Sequence, residues 1–559
     1  MVHSESATTW DVIVIGGAPP GEIAAQYAIQ GSDRTAVIVE HELMGGECSY
    51  WACMPSKALL RPIEVRDAAR HMLGVASIVG DRGLDVPAVL ARRDSFTSNH
   101  DDTSQVNWAN DTGIDVVRGH GRLVGERLVE VTEPGGATRL LRARHAVVLA
   151  TGTTATVPDL PGLRDALPWT SRDVTNLHEV PRRVAMIGGG VVACESACWL
   201  RGLGVQELTV IGSAAGLLGK NEPFAGELVR QVFAGRGVRV VPRSTVNRVE
   251  RVAPKDTGEG HVHGGEVTVV FGDEQITVDE VVAATGRTPS SADIGLASLG
   301  LDAATNRGYV TTDEHLEVVG VPGQWLYAVG DINGRALLTH MGQGRICGAV
   351  IGPRAQGRPL NGTRFRDIAD EQKIPQVTFT DPQVASVGLT EKAATAAGLD
   401  VEIIEHDMAG FAGTSLLRDG YVGRAKLVVD RASDTLVGAT FVGADVAELV
   451  HAATVAVVGE RAGGVGMARS CPRPTIRPGS AEVVLEGSTV GTVRRVRQPV
   501  LPEERRHDLG RLRPVRVHVG PRRPATRPRV REAVDPPILE NPPTAQVDMA
   551  SSHCSIRPH

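Results

Sequence analysis

Short apolar runs alternate with helix-like stretches over most of the chain. Asp11–Ile15 (DVIVI) is a β-branched run of strand length, GGAPPG after it reads as a tight turn, and residues 22–30 (EIAAQYAIQ) have helical composition. AVIVE at 36–40 predicts a second strand that ends in Glu40, nineteen residues beyond Gly21. The same order recurs later. Val184–Ile187 predicts a strand, Gly188, Gly190 and Ala193 follow at the spacing of a glycine turn, and ELTVIG predicts a strand running to Gly212. VVLATG at 147–152 and VVAATGR at 281–287 are near-duplicates that read as buried strands ending in Ala-Thr-Gly, and LYAVGD at 326–331 reads as another, ending in Asp331. Repeated strand–turn–helix–strand order predicts an α/β fold built on two Rossmann-like units.

Those turns carry a chemistry. A first glycine lets the chain reverse, a helix N-terminus faces a pyrophosphate, and an acid at the end of the next strand accepts from a ribose hydroxyl. The first unit supplies Gly16, Gly21 and Glu40 but has Ala18 at the second glycine position, where one methyl is expected to weaken cofactor binding. In the second unit Gly212 stands where the acid that selects NAD over NADP would be, and no arginine follows at once to hold a 2′-phosphate. The choice of NAD or NADP stays open, with Ala193 leaning towards NADPH. Between the first unit and the rest lies GGECSYWACMPSKALL at 45–60, in which four residues separate Cys48 from Cys53. A dithiol just after a dinucleotide unit can store two electrons beside a redox cofactor. Zinc is disfavoured, because no second CxxC or His pair completes four ligands.

Composition limits the alternatives. With 559 residues and 42% hydrophobic content the chain can form several domains with substantial cores. Its start lacks a signal-peptide pattern and no apolar run reaches roughly 18 residues, so the expectation is a cytoplasmic protein with no membrane segment. Seven cysteines are too few for a disulfide framework. The net charge of −6 is uneven: residues 461–559 hold 18 Arg, no Lys and 9 acids, leaving −15 on residues 1–460. This tail has 14 of the 33 prolines and no Phe, Trp or Tyr, a composition expected to be disordered. Its arginines are mixed with acids and lack aromatic interleaving, which argues against nucleic acid as a partner.

With these motifs in order, and with IPQVTFTDPQVASVGLTE at 374–391, the chain resembles the pyridine nucleotide-disulfide oxidoreductases, the family of dihydrolipoamide dehydrogenase, glutathione reductase and mercuric reductase. The resemblance covers about residues 10–460 and fits the dihydrolipoamide dehydrogenase-like branch best. It implies an FAD-binding domain over 1–160 continued at 286–365, an NAD(P)-binding domain over 161–285, an α+β dimerisation domain over 366–460 that looks incomplete, and the tail. It implies FAD held by Gly16, Gly21, Glu40, Gly121, Thr151, Gly152, Asp331 and His340, and NAD or NADP held by Gly188, Gly190 and Gly286. Cys53 would be the thiol nearest the flavin, Cys48 the one that exchanges with an external disulfide, Lys57 the lysine beside the flavin and Glu195 its carboxylate partner. The substrate would be a small-molecule or protein-bound disulfide, and the assembly a homodimer. A flavin reductase of quinones or metal ions that uses the cysteines little, and a non-catalytic flavoprotein, remain as alternatives.

Three features depart from or add to that pattern. Tyr50 and Trp51 sit inside the cysteine loop where relatives have small or polar residues, and either pack inside or face the substrate. Cys194 and Cys198, spaced i, i+4, read as packing behind the second turn, and His451 in ELVHAATVAVVGE as packed or capped. The family's acid-base histidine and glutamate correspond here to Arg473 and Pro478 in SCPRPTIRPGSAE. Arginine cannot shuttle protons. Its presence there predicts thiol–disulfide exchange slowed by a factor on the order of 10² to 10⁴, and a weakened dimer.

Overall fold

The computed structural model describes residues 7–459, apart from 213–215, 303–304 and 368–371. The expectations for the 461–559 tail, and for Arg473 and Pro478, lie outside the described residues.

Strand β1 (Thr8–Ile15), helix α1 (Pro19–Ile29) and strand β2 (Ala36–Glu40) form the first unit, with β1 and β2 parallel and Val12 opposite Ala36. Every residue of β2 is buried, as a strand covered on both faces requires. Pro19 and Pro20 open α1, where their missing N–H groups interrupt no helical bond. Val12 and Val14 face Ala24, Ala25 and Ala28, while Ile13 and Ile15 join a second core on the other side of the sheet. Helix α2 (Gly46–Tyr50) and the 18-residue helix α3 (Cys53–Arg70) follow.

The sheet continues with β3 (Ile114–Arg118), β4 (His120–Gly125), β5 (Leu128–Thr132) and β6 (Thr138–Leu149), in the spatial order β3-β2-β1-β6-β5-β4. Leu326–Ala328 pairs with Val147–Leu149 of β6 although it follows the whole second unit in sequence, which brings Asp331 back to the first unit. A four-stranded parallel sheet carries the second unit, in the order 238–241, 207–211, 183–187, 280–283. An antiparallel five-stranded sheet over 376–443, backed by helix Leu449–Val458, forms a third core.

Three expectations need correction. The strands stop before the Ala-Thr-Gly and Val-Gly-Asp segments, at Leu149, Ala283 and Ala328. The reason is visible at the turns. Gly16 and Gly188 take φ of +106° and +127°, and a Cβ on either would lie 2.3 Å from the Ala150 carbonyl oxygen or 2.2 Å from that of Ala284; the two alanine N–H groups still donate to the Ile15 and Ile187 carbonyls, and the chain leaves the sheet where the alanine carbonyls meet the glycine turns. The strand expected to run to Gly212 likewise ends at Ile211. His451 is neither packed nor capped but exposed, because Val450, Ala453 and Val457 form the inward face of its helix.

Candidate functional site

The turn after β1 is shaped for a phosphate-bearing ligand. A Cβ on Gly21 would lie 2.1 Å from the Gly16 carbonyl oxygen, so helix and turn approach as closely as bare backbone allows. The Gly17 N–H donates to Glu40 Oε2 at 2.6 Å and the Glu42 N–H to Oε1 at 2.7 Å, which fixes this carboxylate at the turn. Burial raises the Glu40 pKa, but His41 and these two N–H groups outweigh it and hold the acid below the ordinary glutamate value. Opposite, Thr151 Oγ1 donates to the Ser290 carbonyl at 2.9 Å, and Thr153 Oγ1 donates to Asp331 Oδ2 at 2.8 Å. Burial pushes Asp331 up despite the Thr153 hydrogen bond and the charge of Arg287. Glu22, on the first turn of α1, has a sealed Oε1 with no partner, and burial beside Glu40 lifts it to about 8. A pre-aimed acid, a turn whose Gly16, Gly17 and Gly21 leave the backbone bare, and an orphaned carboxyl oxygen fit a bound dinucleotide.

Cys53 begins α3, where the helix N-terminus favours a thiolate. Its Sγ lies 3.3 Å from Thr339 Oγ1. The hydrogen bond from Cys48 lowers the Cys53 pKa first, burial opposes it, and Thr339 and the Lys57 charge add to the lowering; Cys48 is raised by the same contact and by burial. The pair thus favours ionisation at Cys53, with Cys48 as its donor. Lys57, one turn along α3, bonds Glu195 Oε2 at 2.9 Å and lies 4.7 Å from the centroid of the Phe379 ring. Glu195 Oε1 accepts from the Phe379 N–H at 2.8 Å, so a buried carboxylate has both oxygens engaged. The four expected catalytic residues and Thr339 therefore meet at the start of α3.

Further contacts hold the cysteine loop. Glu47, just before Cys48, pairs with Arg172 Nε at 2.6 Å and Arg287 Nη2 at 3.0 Å, and Arg287 Nε reaches Thr153 Oγ1 at 2.9 Å, a chain that ends on Asp331. Arg172 also grips Glu42 through two 2.9 Å bonds. Tyr50 and Trp51 turn inward, only 1% and 7% exposed, which decides between the two readings of that pair in favour of packing.

The second turn repeats the first in outline. Gly188 presses on Ala284, Gly190 caps helix Val191–Leu203 without a side chain, and the Gly286 carbonyl accepts from the Thr156 N–H at 3.0 Å. Two more of the expected residues have contacts of their own, His340 immediately after Thr339. The His340 ring bonds the Pro375 carbonyl at 2.8 Å, and Gly121 lies under the ends of β1 and β2, its Cβ position 3.1 Å from Ile15 and Val39. Thr339, Glu47, Arg172, Arg287 and Phe379 escaped the motif reading. Arg287 and Glu47 adjoin motif residues, but Thr339 shares no local pattern with a cysteine 286 positions away.

Comparison with known proteins agrees with this geometry. Residues 10–346 match the pyridine nucleotide-disulphide oxidoreductase family and residues 374–478 its dimerisation domain, which thus runs past residue 460 and through Arg473. The chain is 30% identical to a dihydrolipoyl dehydrogenase of Rhizobium etli over 86% of its own length and 98% of the relative's, and 27% identical to a mercuric reductase of Staphylococcus aureus over 80% and 77%. Its fold matches LpdA of Mycobacterium tuberculosis with a TM-score of 0.67 at 22% identity, over 81% of this chain and 94% of that one. It also matches the flavoprotein disulfide reductase RclA of Escherichia coli, at 0.67 and 20%, over 84% and 97%. Members of this family use FAD and NAD(P)H, and the dimerisation domain indicates a homodimer. Among the described residues no helix is long and apolar enough to cross a membrane. The chain belongs to the pyridine nucleotide-disulphide oxidoreductase family of flavoprotein enzymes.

Proposed function

We propose that the protein passes two electrons between NAD(P)H and a disulfide or dithiol substrate through FAD and the Cys48–Cys53 pair, in the manner of a dihydrolipoamide dehydrogenase. The observation that carries this reading is the placement of Cys53 at the start of α3 with its Sγ 3.3 Å from Thr339 Oγ1 and the Lys57–Glu195 pair one turn along, an arrangement that lowers the thiol's pKa. Bound FAD would lie along Gly16, Gly21, Glu40, Thr151, Gly152 and Asp331 and would supply two-electron transfer between nicotinamide and disulfide. The chain's own residues carry out the exchange. The Cys48 thiolate attacks one sulfur of the substrate disulfide, the other sulfur leaves as a thiol after taking a proton, and the Cys53 thiolate then displaces the bound sulfur to close Cys48–Cys53. Two thiols are oxidised and one disulfide is reduced. Thr339 and Lys57 favour Cys53 as the anion, so it is Cys48 that must lose its proton to react outwards.

Gly212 supports NADPH as a donor, since it offers no carboxylate to repel a 2′-phosphate. Arg473 at the histidine position favours a second reading, electron transfer to a quinone or metal ion without thiol exchange. The two readings separate in steady-state assays with NADPH and NADH. Lipoamide or another disulfide should be reduced by wild type and by neither Cys48→Ser nor Cys53→Ser, with the loss on the order of 10⁴ or more expected when a nucleophile is removed. Quinone reduction that survives both substitutions, with no disulfide turnover in wild type, would establish the second reading instead.

A further inference from the structure

The edge of the second sheet carries a pair of residues that its fold does not ask for. Strands 183–187 and 207–211 run parallel, with Ile187 opposite Ile211, and a dinucleotide laid across their carboxyl ends sets its adenosine ribose at the end of the second strand. Residue 212 therefore faces the ribose 2′ position. It is a glycine, yet it does not take a left-handed φ, and a Cβ there would meet only backbone atoms at 3.7 to 3.8 Å, an ordinary contact. A side chain would fit at Gly212, and its absence leaves room beside the ribose.

The neighbouring strand presents the opposite case. Val238–Val241 pairs in parallel with 207–211, Val241 opposite Ile211, and so ends at the same edge. The Gly212 N–H donates to the Val241 carbonyl at 2.9 Å and the Ser244 N–H to the Gly212 carbonyl at 3.0 Å, so residues 241–244 wrap around Gly212. Arg243 lies within that wrap at φ +58°, in the left-handed region that suits glycine or asparagine and not arginine. Beyond it the Gly272 N–H donates to the Thr245 carbonyl at 3.3 Å, and Val246 is buried with Ile211 in one core. The backbone is thus pinned on both sides of Arg243, which is itself exposed and has no hydrogen bond or ion pair among the described residues. A free cation is held against the preference of its backbone beside a glycine that could have been any residue.

We propose that Arg243 selects NADPH over NADH by binding the 2′-phosphate of the nucleotide in the space that Gly212 leaves. The inference rests on the reading of the Gly188 turn as the nicotinamide-nucleotide site and narrows it from NAD(P)H to NADPH. A guanidinium stays charged at every working pH and offers a planar fork of donors that matches a phosphate. The 2′-hydroxyl of NADH gives that fork one neutral acceptor and no charge. An acid at 212 would repel the 2′-phosphate, so glycine at 212 and arginine at 243 act in the same direction. The arginine comes from the next strand rather than directly after residue 212, which is why a motif search along the chain passes it by. An arginine that served only to keep the surface soluble would need no left-handed backbone, and nucleotide affinity would be indifferent to it.

The test uses nucleotides that carry no nicotinamide, so that no electrons move. Flavin-loaded full-length protein is titrated calorimetrically with adenosine 2′,5′-bisphosphate and with 5′-AMP. Wild type should bind the bisphosphate about tenfold more tightly or better, the scale of a hydrogen bond between charged groups. Arg243→Gly and Arg243→Asn both suit the left-handed backbone and should fold as wild type does, and either should bring the bisphosphate down to the affinity of AMP. In turnover the same variants should raise the ratio of the KM for NADPH to that for NADH about tenfold. Equal affinity of wild type for the two nucleotides would overturn the NADPH reading and this inference with it. A wild-type preference that survives both substitutions would overturn this inference and leave the NADPH reading standing. An equal loss for both nucleotides would make Arg243 part of the framework of the turn and would overturn the inference as well.

Discussion

Two cysteine pairs in this chain have nearly the same spacing and opposite chemistry. Cys48 and Cys53 are half-buried at the junction of two helices, whereas Cys194 and Cys198 lie in the core on successive turns of helix Val191–Leu203. Burial raises Cys194 well above an ordinary thiol and pushes Cys198 up to about 12, and in neither case does a hydrogen bond or charge reverse it. Cys53 is also penalised by burial, yet a sulfur donor, a hydroxyl and a lysine more than compensate. Burial alone makes a cysteine inert; burial with donors aimed at the sulfur makes a thiolate. The two pairs also cooperate. Glu195, flanked by the inert pair, is the carboxylate that holds Lys57 beside the reactive one.

The sharpest way to break this comparison is alkylation of the reduced protein as a function of pH. Cys53 should react across the neutral range with a midpoint near its lowered value, about 6. Cys198, at about 12, should carry a thiolate population on the order of 10⁵ smaller at pH 7 and stay unlabelled while the protein is folded. Equal labelling of the two would remove the distinction. The same shift has a consequence for stability. The folded pKa of Cys53 lies below the thiol's ordinary 9.0, so its contribution is fully present above pH 9 and is lost as pH falls from 9 towards 6. The difference in melting temperature between reduced wild type and Cys53→Ser should therefore shrink as pH falls over that interval.

A smaller effect is expected from Thr339→Val, which keeps the shape and removes the hydroxyl 3.3 Å from Cys53 Sγ. A hydrogen bond to an anion of about 1.5 kcal/mol corresponds to roughly one pKa unit, so the alkylation midpoint should rise by about that much. A midpoint that does not move would show that Cys48 and Lys57 suffice. The smallest effect belongs to Cys198→Ala. Loss of one buried sulfur should cost about 1 kcal/mol in chemical denaturation and leave disulfide turnover unchanged.

Much of this is legible in the sequence. β1, α1 and β2 follow the apolar runs closely, because strands buried on both faces must be continuously hydrophobic and the turn between them needs bare backbone. Cys48, Cys53, Lys57 and the two glycine turns could be found because each is a local pattern. What the sequence could not show are contacts that depend on tertiary placement. Thr339 meets Cys53, Glu259 meets Trp51 and Phe379 meets Glu195 across intervals with no periodicity to announce them. The ends of the strands before Ala-Thr-Gly escape the sequence for a related reason: Val-Val-Leu-Ala has unbroken strand character, and the approach of Gly16 to the Ala150 carbonyl, which no local pattern announces, is where the chain leaves the sheet after the Ala150 N–H has bonded Ile15. Tyr50 and Trp51 suit solvent or core equally by sequence, and it is Arg172, His100 and Glu259 around Trp51 that decide for the core.

The central claim is that Cys53 is a thiolate placed to exchange electrons with a bound flavin. Anaerobic titration of the flavin-loaded protein with NADPH, followed in the visible spectrum, tests it most directly. After two electrons the account predicts a long-wavelength thiolate–flavin charge-transfer band that is absent from Cys53→Ser and fades in wild type as pH falls through about 6. Direct bleaching of the flavin with no such band, identical in wild type and Cys53→Ser, would contradict it.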